Sequence, residues 1–147
     1  MDISEAFELL FDKNNNTAYK ALQELCIECE RLDSVYPCMG RLGDMLDNDN
    51  SYIRTRGLVL IACNAKWDRD NKIDEVIDRY MEHITDVKPI TARQCIKQLP
   101  VIARYKPELR NDILQTLEKA DISFYGGSMQ PLVYKDIRRA VEEIRKL

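Results

Sequence analysis

The 147-residue sequence predicts an all-α fold of about eight short helices, grouped as four helix-turn-helix units. Three observations predict it. Apolar residues recur at helical spacing along nearly the whole chain. No window shows sustained strand-like alternation. The pattern also repeats, with a period near 36 residues.

Ile3, Ala6, Phe7 and Leu10 share one face of a first helix, about 3–12, which Asp2 caps with Glu5 three residues on. Asn14-Asn15-Asn16 makes the turn into a second helix, about 17–31. Ser34 is the expected cap of the third, about 35–46, with Pro37 in its first turn. Asp47-Asn48-Asp49-Asn50 leads into the fourth, about 51–66, the most apolar of all. Gly57 in its middle costs helix propensity, which points to a close approach by a neighbouring helix. The fifth, about 71–84, follows the Asp68–Asp70 break and has the cleanest spacing: Ile73, Val76, Ile77, Tyr80, Met81 and Ile84. Pro89 opens the sixth, about 89–104, and Pro107 the seventh, about 107–119. Ser128, with Pro131 in the first turn, opens the eighth, about 129–146. Pro100 alone falls inside a helical pattern, where a kink is expected.

An offset of 36 carries Leu10 onto Leu46, Lys20 onto Arg56, Leu22 onto Leu58 and Leu25 onto Ile61. A further offset of 37 carries Asp49 onto Asp86, Ile53 onto Ile90 and Arg56 onto Arg93. The segment Asp49-Asn50-Ser51-Tyr52-Ile53-Arg54 has a turn aspartate, then an apolar residue and an arginine early in the second helix. Asp86-Val87-Lys88-Pro89-Ile90 is a weaker copy whose arginine is Arg93. In this the chain resembles the HEAT-repeat family of ARM-like helical solenoids. The resemblance implies one domain over 1–147, a right-handed α-α superhelix with units at about 1–33, 34–68, 69–105 and 106–147. Asn14-Asn15-Asn16 replaces the Asp–Arg pair in the first unit, and Ser123 to Gly127 lengthens the turn of the fourth. Stacking is also what the physics asks for, because one helix pair cannot bury its apolar stripe alone.

Composition narrows the function classes. The chain is 45% apolar and 32% charged, enough for a packed core. Its longest uninterrupted apolar run is Leu58 to Cys63, too short for a membrane span. The first residues lack the basic and apolar regions of a signal peptide. A soluble, cytoplasmic protein without membrane association is the expectation. Net charge is −3 overall, but −7 over residues 1–50 and +4 over 51–147. That is too little for a generally basic nucleic-acid domain, so such a role would need a local patch. Of five cysteines, Cys26 and Cys29 form a C-x-x-C, yet no βαβ pattern or further zinc ligands accompany it. Core packing is the reading for both, with no metal and no cofactor expected.

Catalytic signatures such as H-E-x-x-H, G-x-S-x-G and the phosphate-binding loop do not occur. Gly126-Gly127-Ser128 reads as a turn, with Phe124 and Tyr125 packing its loop. His83 reads as a helix-end residue, and Trp67 as the anchor of a turn. The expectation is a non-enzymatic interaction scaffold, a monomer or weak homo-oligomer. In the family resembled, the second helix of each unit lines a concave groove. Lys20, Arg56, Arg93, Lys97, Arg104, Lys135, Arg138 and Arg139 lie on those helices, and facing inward they would make a basic stripe for a partner protein or acidic peptide. For Arg54, Arg56 and Arg93 the better fit is the Asp–Arg ladder that ties adjacent repeats in that family. Trp67-Asp68-Arg69 carries the alternative, a nucleic-acid binder related to the HEAT-like alkylpurine DNA glycosylases.

Overall fold

Short polar side chains set where several of the helices begin. The computed structural model describes residues 1–147 and is all-α: α1 Ile3–Leu9, α2 Asn15–Arg31, α3 Met39–Met45, α4 Ser51–Cys63, α5 Lys72–Glu82, α6 Pro89–Tyr105, α7 Arg110–Lys119 and α8 Met129–Arg145. The Asp2 carboxylate accepts from the Glu5 N–H at 3.2 Å. Asn14 accepts from Asn16 and Thr17, and Asn50 from Tyr52 at 2.9 Å. Each satisfies N–H groups that the first helical turn leaves without partners. Short 3₁₀ turns at 36–38, 65–67, 83–85 and 107–109 adjoin α3, α4, α5 and α7.

Two expected caps differ. Ser34 precedes a 3₁₀ turn, and its hydroxyl reaches Glu28 instead. Ser128 makes no side-chain cap, because the Gly126 carbonyl already takes the N–H groups of Met129 and Gln130. Helix α6 continues through Pro100 to Tyr105.

The chain forms two compact units, Met1–Ile73 and Asp74–Leu147. In the first, α1 packs on α2, α3 on α4, and α2 on α4. Its core holds Phe7, Leu10, Leu25, Leu42, Leu46, Leu58, Leu60 and Ile61, all shut off from water. Gly57 is where α4 meets α3: a Cβ there would lie 2.9 Å from the Met45 Cβ and 3.3 Å from the Leu42 carbonyl oxygen. The close approach expected at this glycine is therefore present. Asp68 is buried and accepts from the Tyr36 hydroxyl at 2.7 Å and from the Lys72 and Ile73 N–H groups, so it caps α5. Trp67 Nε1 donates to the Cys29 carbonyl at 2.7 Å and ties the 65–67 turn to α2.

In the second unit α6 packs on α8, α7 on both, and the 83–85 turn on α6. Tyr80, Ile84, Ile96, Leu99, Ile102, Ile113 and Val133 make its core. The buried Lys106 ammonium pairs with Asp74 at 2.8 Å and Glu108 at 3.3 Å. Tyr125 is buried and donates its hydroxyl to the Asp86 carbonyl, which pins the 120–128 loop, while Phe124 leans on its ring. No helix is long and apolar enough to cross a membrane.

Candidate functional site

The site begins with one face of α6. Ile90, Arg93, Gln94 and Lys97 follow one another at i, i+3, i+4 and i+7, so they stand in line along the helix. Asp136, Arg139, Ala140 and Glu143 repeat that spacing on α8. Where these two rows meet, they line an open cleft of about 500 Å³ within the second unit.

Arg93 is fixed inside it. Its Nε donates to Asp136 Oδ2 at 2.6 Å, and both side chains are only partly exposed. The carboxylate pushes the Arg93 pKa above the ordinary arginine value. Lys97 and Arg139 are exposed and carry no ion pair. Glu143 is their acidic neighbour on the cleft wall and is also unpaired. With Asp136 matched to Arg93, the remaining charge is two cations against one carboxylate. Charge-assisted hydrogen bonds to an anionic group are the chemistry such a lining offers, and Arg139 has the forked geometry that suits a carboxylate.

The cleft gathers three of the eight expected groove residues: Arg93, Lys97 and Arg139. Arg56 is a correction. It is buried at 5% exposure, and its guanidinium donates to the Leu10 carbonyl at 2.8 Å and to Asn15 Oδ1 at 3.1 Å. Burial lowers its pKa. It braces the α1–α2 turn against α4 and has no free face for a ligand. Arg54 is buried as well and donates to the Asn48 and Asp49 carbonyls, both at 3.0 Å. Lys20 is exposed on α2 in the first unit. Arg104, Lys135 and Arg138 are exposed on α6 and α8 but do not line the cleft; Arg138 is bonded to the Tyr134 hydroxyl at 3.2 Å.

Sequence reasoning passed over the acidic wall, Asp136 and Glu143. Its signal was available in their spacing with Arg139 on α8. His83 Nδ1 lies 2.7 Å from Asp86 Oδ2, and the other oxygen of that carboxylate accepts from the Lys88 N–H. The lone histidine thus joins the turn before α6. No grouping of three or more histidine, cysteine or acidic side chains is arranged to hold a metal ion. No family model, curated protein or solved structure matches the chain.

Proposed function

We propose that the protein is a non-catalytic interaction module of the HEAT-like helical-repeat kind, and that its α6–α8 cleft takes a carboxylate-rich segment of a partner protein. One observation carries this reading: Lys97 and Arg139 stand unpaired in a cleft whose third cation, Arg93, is already neutralised by Asp136. The repeat near 36 residues supports the family reading. So does the pairing of α1 with α2 and α3 with α4. The groups on which acid–base chemistry would draw, His83 and Asp68, are engaged in structural bonds, which favours a binding role over a catalytic one.

The test is fluorescence anisotropy with a labelled glutamate-rich peptide, beside its glutamine counterpart. Binding of the acidic peptide should weaken by about tenfold or more in the Lys97→Glu, Arg139→Glu double variant, with helical circular dichroism unchanged. Equal affinity for the two peptides, or an unaffected double variant, overturns the reading. Duplex DNA displacing the peptide, with a steep salt dependence, would transfer the cleft to the nucleic-acid alternative.

A further inference from the structure

Each of the five cysteines has a neighbour that accounts for its surroundings, and only for Cys26 and Cys63 is that neighbour another thiol. Cys29 is buried and directs its Sγ at Asn64 Oδ1, 3.8 Å away. Cys95 is buried and donates to the Tyr80 carbonyl at 3.3 Å. Cys38 lies beside Arg41 and Glu8, which act on it electrostatically. Cys26 of α2 and Cys63 of α4 face each other across the helix seam, sulfur to sulfur at 3.4 Å. Both residues are partly exposed.

From this juxtaposition we propose that Cys26 and Cys63 are a reversible dithiol–disulfide site, oxidised by small-molecule disulfides of the glutathione type. The partner of Cys26 is thus not Cys29, its neighbour in the C-x-x-C, but a residue 37 positions away on another helix. Closing the bond brings the sulfurs to about 2.05 Å, an approach of about 1.4 Å between side chains that already touch.

The contact acts on both thiols. It draws Cys63 below its ordinary value, against burial and the nearby Glu30, with Lys66 also favouring the thiolate. The same contact, together with burial, pushes Cys26 up. The balance is the same whichever sulfur attacks first. One thiolate of the pair attacks one sulfur of the disulfide RSSR, forming a mixed disulfide and expelling RS⁻. The other thiol then gives its proton to solvent, attacks the protein sulfur of the mixed disulfide and expels the second RS⁻. Two protein thiols are oxidised by two electrons, and one RSSR is reduced to two RSH.

The seam around the pair is already tied. Cys63 ends α4, and the turn after it reaches back to α2 through Lys66 on the Glu30 carbonyl and Trp67 on the Cys29 carbonyl. A bond here cross-links elements that stay packed in the reduced protein.

The full-length protein is equilibrated with graded ratios of reduced to oxidised glutathione, alkylated under acid-quenched conditions and peptide-mapped without reduction. The expected result is loss of two of the five alkylatable thiols and one cross-linked peptide joining Cys26 to Cys63, both reversed by dithiothreitol. The oxidised form should also melt at a higher temperature than the reduced form. Cys29→Ser should leave the cross-link in place, whereas Cys63→Ser should abolish it. Five free thiols at every ratio, a Cys26–Cys29 linkage, or a glutathione adduct that persists on Cys26 or Cys63 would each overturn the proposal. The map of the unaltered protein decides the matter even where a variant folds poorly.

Discussion

Arg56 in α4 and Arg93 in α6 stand 37 residues apart, the offset at which the sequence pattern recurs. Arg56 is buried against backbone, donating to the Leu10 carbonyl. Arg93 is half-exposed and donates to a carboxylate at the wall of a cleft. The neighbouring steps diverge in the same sense. Gly57 of α4 corresponds to Gln94 of α6, and the buried Leu60 to the exposed Lys97. One helix has spent this face on packing; the other keeps it polar and accessible. Recurrence of a residue type at a regular sequence offset therefore does not fix its surroundings; burial at that position decides whether the side chain is a strut or stays open to water.

The sharpest way to break this comparison is to remove both guanidinium groups while keeping their stems. Arg56→Met should cost about 2–3 kcal/mol in urea unfolding, because it strands the Leu10 carbonyl in the interior and removes a charge-assisted bond. Arg93→Met should cost no more than about 1 kcal/mol, as expected for a pair in partial contact with water. Equal losses would mean that the two arginines do the same work. Next in size is Gly57→Ala. A methyl group 2.9 Å from the Met45 Cβ forces α3 and α4 apart. The overpacking outweighs the gain in helix propensity and leaves a net loss of about 1–2 kcal/mol. The corresponding Gln94→Ala in α6, which borders open space, should leave stability within about 0.5 kcal/mol.

A smaller effect sharpens the comparison by pH. Burial, and then the charges of Asp86 and Cys95, push the Tyr125 phenol from 10.0 up to about 12. The folded state thus prefers the protonated phenol more strongly than the unfolded state does. Its stabilising contribution is complete below pH 10 and is lost as pH rises through about 12. Tyr125→Phe should cost about 1 kcal/mol at neutral pH, through the bond to Asp86. It should also shrink the fall in thermal midpoint over that alkaline window. An unchanged alkaline profile would remove Tyr125 from the account.

A cap is a local event, and Asp2 is legible in the sequence as one. Asn14 and Asn50, which the sequence shows only as parts of turns, also bond an N–H two or three residues ahead. Ser34 and Ser128 look equivalent to Asp2 in the sequence, but the Ser34 hydroxyl turns to Glu28, and the Gly126 carbonyl takes the N–H groups that follow Ser128. The same distinction governs the candidate site. Lys97 and Arg139 could be placed on helices by spacing alone, whereas the burial of Arg56 depends on a carbonyl 46 residues away. Likewise Cys26 was read with Cys29, three residues on, and its thiol neighbour Cys63 lies on a different helix.

Trp67 is the only tryptophan, and it belongs to the first unit, bonded to the Cys29 carbonyl. Emission excited at the red edge of the protein's absorption therefore comes from that unit alone, while far-ultraviolet dichroism sums the helices of both. Comparing the two signals through one denaturation curve asks whether residues 1–73 and 74–147 melt together. Superimposed transitions would make the chain a single cooperative system. Separated transitions would mean that the arginine-braced half and the half with the open cleft hold different reserves of stability, each readable without cutting the chain.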